Sequence, residues 1–281
     1  MTAAELLAWA TQALGAAREG LPSPAREARW ILARLLGVDE AWLLAHLDED
    51  IAPAREIRFR HWIIRRRGGE PAHYLTGSCP FWGRDFLVTP AVLVPRPETE
   101  LVAAAALALP LPASPAVLDV GTGSGCLAIT LAAEWPDATV YALDLSPSAL
   151  VVARANARRH RVRVHLLAAD LTLPLAARFH LVVANLPYLP DGDIPALAPE
   201  VSRFEPRLAL SGGADGADLL RRLVADLNRL LAPGGHALLE IGPDQQRLLE
   251  PVRGAAGLER VAILPDALGL PRVLHLRAAT R

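Results

Sequence analysis

Three observations predict an α/β fold with a mostly parallel sheet, helices on both faces and a small N-terminal helical bundle. The first 70 or so residues carry only helix-period apolar patterns. From about residue 116 the chain alternates short apolar runs with helix-period stretches, the pattern of parallel strands joined by crossover helices. One of those runs, Val117-Leu118-Asp119-Val120, leads straight into the glycine-rich turn Gly121-Thr122-Gly123-Ser124-Gly125.

In chain order, Glu5 to Leu14 forms the first apolar-faced helix. Ser23-Pro24 supplies an N-cap followed by proline at the first helical position, Ala28, Ile31, Leu32, Leu35 and Leu36 make a stripe, and Gly37 ends it. Two more helices are expected over Asp39 to Leu47 and Pro53 to Arg67, with Gly68-Gly69 closing the last. Trp9, Trp30, Trp42 and Trp62 read as core packing of this bundle, and Arg55, Arg58, Arg60, Arg65, Arg66 and Arg67 as a solvated face. Between about 71 and 98, Cys79–Trp82 and Phe86–Val88 flank Gly83-Arg84-Asp85 and predict a β-hairpin linker. Strands are then expected at Ala116–Val120, Thr139–Leu143, Arg163–Leu167, Leu181–Ala184, His236–Ile241, Leu258–Leu264 and Val273–Arg277. Helices near 126–134, 147–159, 215–231 and 244–255 lie among them. The expected division is therefore 1–70 bundle, 71–98 hairpin linker and 99–281 catalytic domain.

With 281 residues, 52% hydrophobic and 21% charged, the chain can bury a substantial core. A net charge of −1 offers no global attraction for nucleic acid or an anionic membrane. All 29 basic residues other than histidine are Arg. Cys79 and Cys126 form neither a disulfide framework nor a ligand pair, and Met1 to Glu5 lacks the basic start of a signal peptide, so a cytoplasmic protein is expected. The uncharged stretch Leu101–Leu118 is broken by Pro110, Pro112 and Pro115, which argues against a membrane span. The eight histidines show no ligand spacing, and no metal is expected.

The glycine turn lets a ligand approach the backbone, but Cys126 stands where the dinucleotide fingerprint needs its last glycine, and no Gly-Lys-Ser/Thr follows. Asp144 ends the second strand, 19 residues after Gly125, where a carboxylate can accept from both ribose hydroxyls. Asp170 and Leu171, after the third, are set to meet an adenine amine and ring face. An adenosyl ligand without a phosphate-binding Lys favours S-adenosylmethionine over ATP or NAD. After the fourth strand comes Asn185-Leu186-Pro187-Tyr188. The Asn185 amide oxygen and the Leu186 carbonyl can accept both hydrogens of a planar NH2, while the Tyr188 ring can cover a flat group. These parts hold an amide or exocyclic amine while its nitrogen is methylated.

Together these motifs resemble the release-factor glutamine methyltransferases, the HemK/PrmC family. The resemblance is carried by Pro95-Arg96-Pro97-Glu98-Thr99-Glu100, the Asp119–Gly125 turn, Asn185–Tyr188, Phe204-Glu205-Pro206 and Ser211–Gly216. Gly69-Glu70-Pro71, Tyr74–Gly77 and Phe81-Trp82-Gly83 add to it. It spans essentially the whole chain, is weakest over the first 65 residues, and the Pro95–Glu100 block is its most specific part. It implies a class I S-adenosylmethionine-dependent methyltransferase domain with a seven-stranded sheet whose last strand is antiparallel, preceded by a substrate-recognising bundle. It also implies that the acceptor is the Gln of the Gly-Gly-Gln motif in class I peptide chain release factors, and that S-adenosylhomocysteine is the product. The glycine turn, Asp144, Leu171 and Asn185 would contact the cofactor, and Asn185 to Tyr188 the substrate. Family members usually carry Asn-Pro-Pro-Tyr; Leu186 removes one rigid φ yet keeps the carbonyl and, preceding Pro187, stays biased to extended backbone. Glu98 and Glu100 are expected to brace the following helix, and Arg96 to act as a brace or a carboxylate partner. A monomer without stable nucleic-acid or membrane binding is expected. The rival readings are a ribosomal-protein glutamine methyltransferase, an adenine-N6 nucleic-acid methyltransferase and a silent cofactor-binding scaffold.

Overall fold

The computed structural model describes residues 1–15, 23–172 and 175–280. Two compact units divide the chain: Met1–Gly77 with Ala198–Phe204, and Ser78–Leu197 with Glu205–Arg281.

The first unit is helical: α1 (Ala3–Gly15), α2 (Pro24–Leu36), α3 (Glu40–Ala45), α4 (Pro53–Arg67), α5 (Ala72–Thr76) and, from the later segment, the single turn α9 (Pro199–Ser202). Ser23 caps α2 by accepting from the Arg26 N–H at 3.3 Å, and Gly37 closes it with φ of 76°. Leu6, Leu14, Ile31, Leu32, Leu43, Phe59 and Ile63 form one buried core. Trp9, Trp30 and Trp62 pack on its edge, whereas Trp42 is exposed and stacks on His46, so the tryptophans are not all core residues. Arg66 also departs from the expected solvated face. Its guanidinium is buried and pairs with Glu27 at 2.5 Å and Glu200 at 2.6 Å.

The second unit opens with the hairpin β1 (Ser78–Phe81) and β2 (Arg84–Leu87). Its loop is Trp82-Gly83, both with positive φ (49° and 68°), the two-residue turn whose twist suits antiparallel strands. The expected three-residue loop therefore shifts back by one. Next come α6 (Glu100–Leu107), β3 (Ala116–Val120), α7 (Cys126–Glu134), β4 (Thr139–Asp144), α8 (Pro147–Arg159), β5 (His165–Ala168) and β6 (Phe179–Ala184). The chain finishes with α10 (Asp218–Leu230), β7 (Leu231–Glu240), α11 (Gln245–Ala255), β8 (Glu259–Pro265) and β9 (Pro271–Arg277).

These seven strands lie in the order β5-β4-β3-β6-β7-β9-β8, with β9 antiparallel to both neighbours. Along β6 the side chains alternate between the two faces. Leu181 and Val183 join the core beneath α6 and α7, while Val182 and Ala184 join the one beneath α10. Helix α10 buries Leu220, Leu223, Val224, Leu227 and Leu230, a helical stripe worth roughly 1.5–3 kcal/mol per side chain. Among the described residues no helix is long and apolar enough to cross a membrane.

Candidate active site

Strand order reverses between β3 and β6, so the loops leaving their carboxyl ends diverge and open a crevice. Val120 pairs with Leu143 on one side and Ala184 on the other, which sets Gly121, Asp144 and Asn185 side by side at that edge. A cavity opens there, at the position where open α/β sheets hold their ligands. Its wall includes the whole turn Gly121 to Ser124, Asp144, Asp170, Leu171 and Asn185 to Pro187. Gly125 sits just behind, at the start of α7.

Two glycines of the turn are held chiefly by their positive φ, with side-chain tips close by. At Gly121, with φ of 75°, a Cβ would lie 2.9 Å from Leu186 Cδ2; at Gly125, with φ of 83°, it would meet Ile129 Cδ1 at 2.8 Å. Leu186 is thus a buried packing partner of the turn, and its departure from the usual proline adds apolar contact beneath the crevice.

Asp144 accepts from the Gly123 and Ser146 N–H groups at 2.8 Å each, tying the second strand to the glycine turn. Burial raises its carboxyl above the ordinary range, against the pull of those N–H groups. Asp170 lines the cavity mouth and pairs with Arg222 at 2.8 Å. Leu171 has φ of 52°, rare for a branched aliphatic residue, and faces the same space. Tyr188 differs from the expectation that its ring covers a planar group. It does not belong to the cavity wall, and its hydroxyl donates to buried Glu240 at 3.2 Å. Burial, then Glu240, pushes the phenol well above its usual value.

Asn185 is held in a defined sense. Its Nδ2 donates to Thr99 Oγ1 at 2.9 Å, while neither its Oδ1 nor the Leu186 carbonyl accepts from another described residue. Both residues line the crevice, and both oxygens remain free to accept. The Pro95–Glu100 block that supplies Thr99 also makes two braces. Arg96 meets buried Glu205 through Nη2 at 2.7 Å, so it is the carboxylate partner, and Glu100 accepts the Trp82 N–H at 2.7 Å.

Four functional side chains escaped the sequence reading. Asp119 Oδ2 accepts from the Thr122 hydroxyl at 2.7 Å and the Ala128 N–H at 3.2 Å, leaving buried Oδ1 without a partner among the described residues on a group that lines the cavity. Burial raises this carboxyl to about 7, with Asp144 adding to the rise. Gln245 Nε2 donates to the Tyr188 and Gly216 carbonyls at 2.8 Å each and its Oε1 accepts the Gly242 N–H at 2.9 Å, clamping the backbone behind the Asn185 loop. Thr99 and Glu240 are the other two. The acid in the strand-to-turn motif was the one available signal for Asp119; the contacts of the others depend on distant segments. Burial pushes the Cys126 thiol up to about 12, which disfavours the thiolate. Among the described residues no group of His, Cys, Asp and Glu could hold a metal.

An unpartnered carboxylate oxygen beside the N-terminus of α7 offers opposite charges a few atoms apart, which matches an amino-acid zwitterion. With the glycine cradle and Asp144 next to it, the crevice fits S-adenosylmethionine. Fold and site define a methyltransferase dependent on that donor, and the profile for a methyltransferase domain matches residues 117–204. A methyltransferase from Pyrococcus furiosus shares the fold, with a TM-score of 0.52 and 17% identity over 81% of this chain and 100% of its own. A 16S rRNA methyltransferase of T. thermophilus, solved with AdoMet and guanosine, gives 0.51 and 21% over 72% of this chain and 49% of its own.

The PrmC N-terminal domain profile matches residues 5–77. The release factor glutamine methyltransferase of Moorella thermoacetica is 44% identical over 97% of each chain, and that of Cereibacter sphaeroides 43% over 99% of each. The chain belongs to the family of release factor glutamine methyltransferases.

Proposed function

We propose that the protein transfers a methyl group to the side-chain amide nitrogen, N5, of the Gln in the Gly-Gly-Gln motif of class I peptide chain release factors. The observation that carries this reading is the fixed sense of Asn185: Thr99 takes its NH2, which leaves its oxygen free, and the Leu186 carbonyl on the next residue has no partner among the described residues. Two free acceptors on adjacent residues match the two N–H groups of a primary carboxamide.

S-adenosylmethionine, when bound, supplies an electrophilic methyl on a sulfonium. The protein's task is to make a poor nucleophile competent, since the amide lone pair is delocalised into its carbonyl. Asn185 Oδ1 and the Leu186 carbonyl accept the two amide hydrogens, hold the nitrogen in line and oppose the positive charge that grows on it. Pro187 stiffens the loop, and Tyr188 anchors it through Glu240. Gly121 to Gly125 cradle the donor, Asp144 accepts from the ribose hydroxyls, Asp170 and Leu171 border the adenine, and Asp119 Oδ1 receives the ammonium. The surplus proton leaves after transfer, and no general base is assigned.

Recognition of the release factor belongs to the helical unit. Its helix α4 exposes Ile57 and Ile64 two turns apart, 68% and 56% accessible, two apolar side chains on one face that a protein partner could cover. The enzyme acts as a monomer in the cytoplasm. Incubation of the purified protein with methyl-labelled donor and a release factor tests the reading. Label is expected on the intact factor and not on a version whose Gly-Gly-Gln glutamine is replaced by Ala. Equal labelling of both would refute it.

A further inference from the structure

Behind the Asn185 loop, and outside the cavity wall, lies a buried carboxylate that the reaction itself does not use. Glu240 ends β7 and is fully buried. One oxygen accepts the Thr99 hydroxyl at 2.7 Å, and the other accepts the Tyr188 hydroxyl at 3.2 Å. Thr99 in turn accepts from Asn185 Nδ2 at 2.9 Å. On the far side, Arg272 lies against both Tyr188 and Glu240 and pairs with Asp266 at 2.9 Å.

The direction of these hydrogen bonds matters more than their number. A threonine hydroxyl has one proton. Here that proton is committed to Glu240, so toward Asn185 the oxygen can only accept. An acceptor at that point attracts the NH2 end of the Asn185 amide and repels its oxygen. The amide is therefore turned with Oδ1 away from Thr99, the sense needed to receive an N–H from a substrate. Were Thr99 to donate instead, the amide would gain by rotating half a turn. It would then present NH2 to the acceptor nitrogen's own hydrogens, donor against donor.

We propose that Glu240 is a positioning residue that acts through Thr99 to fix which end of the Asn185 amide faces the substrate, and through Tyr188 to hold the loop that carries it. This inference rests on the carboxamide clamp read at Asn185 and Leu186. Glu240 touches neither donor nor acceptor.

Glu240→Gln tests the direction with little change in shape. Its amide must donate from one end, and because Tyr188 already faces the Arg272 guanidinium, the donating end turns to Thr99 and reverses the chain. The expected result is a fall of about 30-fold in kcat, with KM for the release factor and the dissociation constant of S-adenosylhomocysteine each within about threefold of the parent. Thr99 offers a second route should that variant fold poorly. Thr99→Val removes the acceptor and should lose kcat similarly, while Thr99→Ser, which keeps the hydroxyl, should restore most of it. The double variant Glu240→Gln/Thr99→Val should be no worse than the poorer single, because both act through one amide.

A folded Glu240→Gln, or a Thr99→Val, with parental kcat overturns the inference. So does Thr99→Ser behaving like Thr99→Val, since that assigns the position to packing. Asn185→Ala separates the two levels. If it loses transfer while Glu240→Gln keeps it, only this inference falls; if it keeps transfer, the clamp falls as well.

Discussion

Asp119 carries two different jobs on its two carboxylate oxygens. Oδ2 is spent on the Thr122 hydroxyl and the Ala128 N–H, and buried Oδ1 has no partner among the described residues. With the carboxyl raised to about 7 by burial, the empty site takes up a proton near neutrality, and a cation bound at Oδ1 would drive that proton off. Affinity for S-adenosylmethionine should therefore fall as pH drops through 7, by about tenfold between pH 8 and pH 6. Isothermal titration across that range checks it, and Asp119→Asn should bind weakly with a flat profile. A raised folded pKa also means that Asp119's contribution to stability without ligand is full below its unfolded value and is lost as pH rises through about 7. Asp144→Ala should weaken cofactor binding at every pH while keeping this dependence, because Asp119 is still present; an unchanged dissociation constant would remove Asp144 from the ribose. Asn185→Ala should instead lose transfer by about 100-fold while leaving cofactor affinity within about twofold. At this scale the sequence was legible where chemistry is local: a glycine turn, an acid at a strand end, an Asn before a proline. Glu240 and Thr99 meet across 141 residues, and no local pattern announces such a contact.

At the scale of elements, periodicity located every strand of the large sheet, and the helices Cys126–Glu134 and Pro147–Arg159 run over the spans expected. The misjudged ends have identifiable causes. Strand β7 begins at Leu231, five residues before the expected His236, because Pro233-Gly234-Gly235 reads as a turn but sits inside a bulge where the pairing jumps from Phe179 to Leu181. The hairpin turn falls on Trp82, a residue whose bulk argues for a strand, because Gly83 beside it completes a two-residue loop. Strands β7 and β9 also create a pair that neither holds alone. His236 Nδ1 and His275 Nε2 lie 2.9 Å apart and share a single hydrogen bond, which requires one nitrogen to be unprotonated. Burial, then His236 and Arg277, lowers His275 to about 4, only partly offset by Glu259, while burial and Arg277 also lower His236. A depressed histidine contributes stability that is present above its unfolded value and lost as pH falls through the folded one. Thermal unfolding should therefore shift to lower temperature as pH drops from about 6.5 toward 4. His275→Gln should blunt that shift, and scanning calorimetry at several pH values measures it.

At the scale of the whole molecule, the chain builds two units with different tasks. The second unit contains every residue of the cavity wall, and the first contains none. A methyltransferase acting on a small molecule would need only the former. The extra helical unit has its own buried centre around Leu32, Phe59 and Ile63, yet leaves Ile57 and Ile64 exposed on the same helix. Phe59 and Ile63 face that core, so the two exposed isoleucines lie on the opposite side of α4 and contribute little to its packing. Burying such side chains against a partner is worth about 1–2 kcal/mol each, which is where about five- to thirtyfold in affinity arises. Ile57→Asp and Ile64→Asp should accordingly raise KM for the release factor by about tenfold. The melting temperature and cofactor affinity should stay close to the parent, because neither side chain belongs to a core or to the cavity. Steady-state kinetics with the protein substrate, beside calorimetry with the cofactor, distinguishes the outcomes. An unchanged KM in both variants would take recognition away from this face of α4, whereas a fall in kcat with KM unmoved would mean that the helix acts on the chemistry instead of on docking.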